Sequence, residues 1–297
     1  MIAKRLDCNG RALVLDQPRV CGVLNVTPDS FSDGGTSLDA QTAIERGVRL
    51  VAEGADVVDV GGESTRPGAQ AVSVEEELAR IIPVIEGLAK QVDVPISVDT
   101  SKPEVMRAAV AAGAGLVNDV YALRREGAAE AVAELRVPVC LMHMQGEPRT
   151  MQDAPQYDDV VGEVHRFLAE RVFACEMAGI ERRNLLVDPG FGFGKTLEHN
   201  LLLLRDLERF AEIAPVMAGL SRKAMIGTLT GRQQPADRVA GSAAAVLIAV
   251  QRGAMIVRVH DVAATRDALA VWNAVAAIMP KQRRATPASP AALWDDD

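Results

Sequence analysis

The sequence predicts a (β/α)8 barrel, and three observations carry the prediction. Eight short apolar runs rich in Val, Ile and Leu each end in a polar residue or a glycine. Stretches with helical patterning separate them, and the whole alternation fits within about 240 residues, the size expected of this architecture.

The runs are "VCGVLNVT" (20–27), "DVVDVGG" (56–62), "PISVDTS" (95–101), "LVNDVYA" (116–122), "PVCLMHM" (138–144), "LLVDPG" (185–190), "PVMAGLS" (215–221) and "MIVRVHD" (255–261). Apolar runs that do not alternate with polar residues suit strands covered on both faces, as in a parallel sheet. The first helical stretch, 38–53, carries Ala43, Val48, Leu50 and Val51 broadly on one face. The second, 73–90, opens at Ser73 with Glu76 three positions on, the pattern of a capping box. The third, 103–112, begins with proline in its first turn and is stopped by Gly113. Further helices are expected at 128–135, 157–178, 196–211, 236–252 and 263–279. Ahead of the barrel, residues 1–19 place an Asn9-Gly10 turn between apolar positions, a small hairpin expected to close the bottom. Residues 1–280 are therefore expected to form a single domain and 281–297 a mobile tail. A doubly wound open sheet is the alternative, but it would show a glycine fingerprint after its first strand, where this chain has "NVTPDSFSDGG".

Composition narrows the function. A net charge of −8 argues against a surface that coats nucleic acid, while leaving room for one basic pocket. Cys8, Cys21, Cys140 and Cys175 show no CxxC spacing and read as free thiols in a reducing compartment. The opening residues lack the apolar core of a secretion signal, and the longest apolar run, Ala243 to Val250, is far short of a membrane span. A cytoplasmic location is expected.

One stretch suggests a nucleotide site and fails the test. Residues 187–196, "VDPGFGFGKT", end like a phosphate-binding loop in Gly194-Lys195-Thr196. The G-x-x-x-x-G-K-[ST] spacing puts Pro189 where the first glycine belongs, and proline has no N–H to offer phosphate. Lys195 is expected on the helix that follows.

Barrel enzymes work at the C-terminal ends of their strands. In order, those ends deliver Asn25; Asp59, with Glu63 and Arg66 in the loop beyond; Asp99; Asn118 and Asp119; Met142 and His143; Asp188; Ser221, Arg222 and Lys223; and Arg258, His260 and Asp261. Any one of these could merely cap a helix, and Asp119, Ser221 and Asp261 are well placed to do so. Capping does not explain Asp99, Asn118 and Asp188, each set inside an apolar run, where a carboxylate costs several kcal/mol (roughly) unless paired or hydrogen-bonded. They suggest a ligand with several N–H donors. Arg66, Arg258 and His260 suit an anion, with Lys223 nearby. An acidic slot beside a cationic rim fits a molecule with an amide–guanidine edge and a phosphate tail.

The stretches "GVLNVTPDSFSDGG", "DVGGESTRPGA", "SVDTSKP", "VNDV", "LMHMQGEPRTMQ", "DPGFGFGK", "GLSRKAMIG" and "RVHDV" together resemble the dihydropteroate synthases, in that family's order, over about residues 20–262. The resemblance implies condensation of a dihydropterin-methyl diphosphate with 4-aminobenzoate, releasing diphosphate, by a homodimeric barrel that uses Mg²⁺. It implies a pterin pocket of Asp99, Asn118, Val120, Met142, Asp188 and Lys223. It implies an aminobenzoate pocket of Phe31, Thr65, Arg66, Pro67, Gly192, Phe193, Ser221 and Lys223. The diphosphate would lie on Asn25, Arg66, Arg258 and His260, with Asn25 also a ligand of Mg²⁺. Asp33 would latch the first of two mobile loops, 27–36 and 63–70. Asp99, Asp188, Lys223, Arg258 and His260 would do the catalytic work, in a dissociative mechanism. Many members carry serine after Ser-Arg-Lys where this chain has Ala224. Two other readings share the acidic slot: a methyltetrahydrofolate methyltransferase, which needs no diphosphate grip, and a paralogue that binds pterin without catalysis.

Overall fold

The computed structural model describes residues 4–26, 36–64, 71–147 and 150–278. Phe31, Asp33, Thr65, Arg66 and Pro67, most of both loops and the expected tail lie outside the described residues.

All eight apolar runs form strands, and they close into one parallel barrel. β1 (Lys4–Cys8) and β2 (Arg11–Leu15) make the antiparallel hairpin that precedes it. The barrel strands are β3 (Arg19–Asn25), β4 (Val57–Gly61), β5 (Ile96–Asp99), β6 (Leu116–Asp119), β7 (Val139–Met142), β8 (Leu185–Asp188), β9 (Val216–Ala218) and β10 (Ala254–Val259), with β10 pairing back onto β3. Around them run α1 (Thr36–Ala52), α2 (Val74–Ala89), α3 (Pro103–Ala111), α4 (Ala128–Leu135), α5 (Val160–Met177), α6 (Leu197–Arg205), α7 (Ala224–Thr230), α8 (Val239–Gln251) and α9 (Val262–Ile278).

The hairpin turns at Asn9 and Gly10, with φ of 56° and 85°, the paired left-handed geometry that an Asn-Gly turn supplies. It plugs the barrel's lower end. Leu6, Cys8, Leu13 and Leu15 share one buried cluster with Cys21, Val57, Leu116, Cys140, Leu186, Met217 and Ile256. The approach is close: a side chain at Gly115 would put its Cβ 2.1 Å from the Cys8 carbonyl oxygen. The four cysteines are free and buried.

The helices depart from expectation in four places. Ser73 accepts from the Glu76 N–H at 3.2 Å, but the Glu76 carboxylate pairs with Arg80, so the capping box is half formed. A complete box forms instead at Thr196 and His199, the N-terminus of α6. The helix expected over 196–211 ends at Arg205 and continues as a 3-10 turn over Leu207–Glu212, and α7 is an additional short helix. Lys195 precedes the Thr196 N-cap rather than lying on the helix.

Candidate active site

Side chains alternate along a strand, so residues two apart face the same way. The barrel interior thus carries Leu116 then Asn118, Leu186 then Asp188, Ile256 then Arg258. Strand register sets the upper members side by side: Asn25 opposite Gly61, Gly61 opposite Asp99, Asp99 opposite Asn118, and Met142 opposite Asp188.

Arg258 organises one side of this mouth. Its Nε donates to Asp59 Oδ2 at 2.6 Å and its Nη2 to Asp99 Oδ2 at 2.7 Å. Asn118 Nδ2 reaches Asp59 Oδ2 at 3.4 Å, while the buried Asp59 Oδ1 has no partner among the described residues. Burial lowers the Arg258 pKa, but the Asp59 and Asp99 carboxylates outweigh it and hold the guanidinium above its ordinary value. Burial pushes the Asp99 carboxyl up, against the pull of Arg258. The rim arginine expected for an anion is therefore already engaged by two carboxylates.

Asp188 shapes the opposite side. Its Oδ1 accepts from the Gly190 N–H at 2.7 Å. Its Oδ2 faces Gly219, where a Cβ would stand 3.8 Å away. Burial raises Asp188 as well, countered by the Gly190 N–H and by Lys223. The Lys223 ammonium lies 4.2 Å from the centroid of the Phe193 ring. Gly192 lies against the Lys223 stem, and its φ of 78° is what calls for glycine there. Val120 and Met142 share an apolar cluster with Met144 and Met151, against which Phe193 and Tyr121 pack.

The residues expected to cap helices do other work. Asp119 accepts from the Tyr121 and Leu123 N–H groups at 2.8 and 2.7 Å, fixing a turn in which Ala122 and Leu123 are both left-handed. Asp261 binds Arg222 through two bonds, one of 2.9 Å. Ser221 Oγ accepts from the His260 N–H at 3.1 Å and lies 3.2 Å from His260 Nδ1. Burial, with Arg258 and Arg222, holds His260 down to about 3, so it stands here as a neutral imidazole rather than a cation.

For a divalent cation the donor set is spare. Among the described residues no group of three or more His, Cys, Asp or Glu is arranged around a common point. Asn25 Oδ1 and Asp99 Oδ2 both lie beside Gly61, and since Asp99 Oδ2 already accepts from Arg258, Asn25 Oδ1 is the oxygen left to offer. That suits Mg²⁺, which commonly keeps several waters and takes one or two protein oxygens together with substrate phosphate.

The structure brings together Asn25, Asp99, Asn118, Val120, Met142, Asp188, Gly192, Phe193, Ser221, Lys223, Arg258 and His260 at one mouth. Sequence reasoning gave no role to Asp59, although it shares with Asp99 the signal of a carboxylate inside an apolar run. Nor did it find Lys102, whose Nζ lies 2.6 Å from Glu63 Oε2 and also bonds the buried Glu77. Among the described residues no helix is long and apolar enough to cross a membrane.

Comparison with known proteins gives the family and the same fold. Residues 21–260 match the pterin binding enzyme family. Dihydropteroate synthase of Escherichia coli is 51% identical over 280 residues, covering 94% of this chain and 99% of the relative. Among solved structures, Xanthomonas albilineans dihydropteroate synthase with 4-aminobenzoic acid superposes with a TM-score of 0.89 at 66% identity, over 93% of this chain and 99% of that one. The same organism's enzyme in complex with 7,8-dihydropteroate gives a TM-score of 0.84 at 63% identity, over 92% of this chain and 99% of that one.

Proposed function

The chain belongs to the pterin-binding enzymes and, among them, to the dihydropteroate synthases, and on that premise we propose how its mouth performs the condensation. The substrates are a (7,8-dihydropterin-6-yl)methyl diphosphate and 4-aminobenzoate; the products are 7,8-dihydropteroate, a folate precursor, and diphosphate. The observation that carries this reading is the convergence of Asp99, Asn118, Asp188 and Lys223 with Arg258 and His260 on one rim. Those groups match the two halves of the first substrate.

The amino-pyrimidinone edge of the pterin sits against Asp188 and Asn118, with Lys223 donating to ring acceptors and Met142 and Val120 packing on the ring. The diphosphate takes Asn25, Arg258 and His260, together with Arg66. Arg258 must then share its guanidinium between the anion and the carboxylates it now holds. An arriving diphosphate raises the His260 pKa from about 3, favouring a charged imidazolium where negative charge gathers. Asn25 would hold Mg²⁺, which when bound supplies charge neutralisation to the leaving group.

The CH₂–O bond breaks first, its electron pair leaving with diphosphate. The pterin-methyl cation is stabilised by ring delocalisation and by the Asp99 and Asp188 carboxylates. The neutral amine of 4-aminobenzoate then attacks the CH₂, forming the C–N bond and shedding one proton. Fixed charges aimed at developing charge, and the alignment of amine and CH₂, supply the acceleration. The aminobenzoate lies by Phe193, Gly192, Ser221 and Lys223, with Phe31, Thr65, Arg66 and Pro67 assigned to the same pocket and Asp33 to latching the first loop. With Ala224 in place of serine, the Ser221 hydroxyl and nearby N–H groups hold the carboxylate. The enzyme works in the cytoplasm as a homodimer; exposed Ile248 on α8 with Val271, Val275 and Ile278 on α9 supports a self-association surface.

A coupled diphosphate-release assay tests this reading. Release should depend on 4-aminobenzoate, match dihydropteroate formation one for one, and be inhibited by sulfonamides in competition with 4-aminobenzoate. Sustained turnover of diphosphate without 4-aminobenzoate, or no release at all, would overturn it; a single equivalent released without the amine is what cleavage ahead of attack allows.

A further inference from the structure

The triplet Gly194-Lys195-Thr196 looks like part of a phosphate loop, yet its lysine is only 3% exposed. A buried ammonium is costly unless it is bonded, so its partners say what it is for. Lys195 Nζ donates to the Phe193 carbonyl at 2.9 Å, lies 2.9 Å from His143 Nδ1, and reaches the His143 carbonyl at 3.4 Å. Burial, together with Lys195 and Arg124, keeps His143 neutral, so Nδ1 can accept while Nε2 carries the proton. Burial also holds Lys195 down, to about 7.

These partners belong to the exit of β7 and to the glycine arch that follows β8. The arch has little slack. Gly190, Gly192 and Gly194 are left-handed, and Cβ atoms on Gly190 and Gly194 would stand 1.9 Å from the His143 carbonyl oxygen and 2.5 Å from that of Gln145. Two further straps hold it: the Gln152 amide donates to the Gly192 carbonyl, and the Tyr157 hydroxyl donates to that of Gly194 at 3.0 Å. His143 is itself braced edge-on by Phe167, with ring centroids 4.8 Å apart. Lys195 ties the arch to this brace at Phe193, whose ring faces Lys223.

We infer that Lys195 is a positioning residue for the aminobenzoate half-site: it fixes the Phe193 carbonyl to the β7 exit and so sets the Phe193 ring that receives the arylamine. This rests on the placement of 4-aminobenzoate at Phe193 proposed above. Strand register sets the Asp188 and Asn118 backbones, so the pterin half-site depends less on Lys195, although Asp188 Oδ1 accepts from the Gly190 N–H of the arch and the Lys195 charge helps hold Asp188 ionised.

Lys195→Met, Phe193→Ala and the double variant test it in the full-length enzyme. Lys195→Met should raise the KM for 4-aminobenzoate and the Kd for a sulfonamide about tenfold, equivalent to about 1.4 kcal/mol, with the pterin diphosphate KM within about twofold. Contacting residues couple, so the double variant should be no more than about twofold worse than Phe193→Ala alone. Equal losses for both substrates, or additive effects in the double variant, would overturn the inference. If Phe193→Ala impairs 4-aminobenzoate binding and Lys195→Met does not, the inference alone fails. If Phe193→Ala leaves that KM unchanged, the placement of 4-aminobenzoate fails and takes the inference with it. Should Lys195→Met not fold, Lys195→Gln is measured against the same outcomes.

Discussion

Val57 and Asp59, Leu116 and Asn118, Leu186 and Asp188, and Ile256 and Arg258 each stand two positions apart. The first of each pair lies in the apolar cluster sealed by the hairpin; the second lies at the mouth. Along a strand that interval is about 7 Å. Both members face inward, so the barrel changes chemistry within one side-chain layer. The difference teaches why the carboxylates behave as they do. Burial against the dry layer beneath raises Asp99 and Asp188; the Arg258 ion pair answers it at Asp99, and the Gly190 N–H with Lys223 at Asp188.

The largest effect should come from breaking the mouth. Arg258→Ala leaves Asp59 and Asp99 side by side without a cation, a loss of about 3–5 kcal/mol on the precedent of broken buried pairs. Turnover should fall at least about a hundredfold, as when one preorganised charge-stabilising group is removed. Urea denaturation should show the deficit shrinking toward acid pH, because Asp99, already raised, takes up a proton. An undiminished midpoint and rate would show that the cluster matters to neither end.

Breaking the plug should give the reverse pattern. Leu6→Ala is expected to cost about 2–5 kcal/mol of stability, the range for emptying a buried leucine site, while KM for both substrates stays put in the folded protein. A shift of more than about twofold in either KM, beyond ordinary assay agreement at about 0.4 kcal/mol, would show that the two ends are coupled.

A smaller effect sharpens the comparison through pH. The folded protein holds His260 near 3, against an ordinary value of 6.5, so the unfolded chain binds the proton first. Its contribution is present above the ordinary value and is lost as pH falls toward the folded one. Between pH 7.5 and 5.5 the wild type should lose about 1.4 kcal/mol more than His260→Gln, the linkage for one such group. Inorganic diphosphate should reduce that difference by raising the folded pKa. Identical pH profiles for the two proteins would place His260 in a wetter setting than the mouth described here.

The barrel could be read in the sequence because each strand is covered on both faces, which forces the apolar runs, and because Asn9-Gly10 has one favoured turn. What could not be read depends on closure of the chain. Arg258 meets Asp59 and Asp99 across 199 and 159 residues, and no local pattern reports which carboxylate a distant guanidinium will choose. Helix α7 was missed because "AMIGTLT" contains a glycine and two threonines and too few residues to show a period. The Ser73 box was over-read: Glu76 had an alternative in Arg80, one turn along. Lys195 carried a signal of the wrong kind, a familiar spelling whose lysine turns inward.

The hairpin has one more consequence. A cylinder stoppered at its base leaves the far end as its doorway, and on the function proposed above the reactants and the departing anion share that opening above Asp99 and Asp188. Among the described residues the base is filled by side chains, so the order of arrivals and departures becomes a matter of traffic at the upper opening.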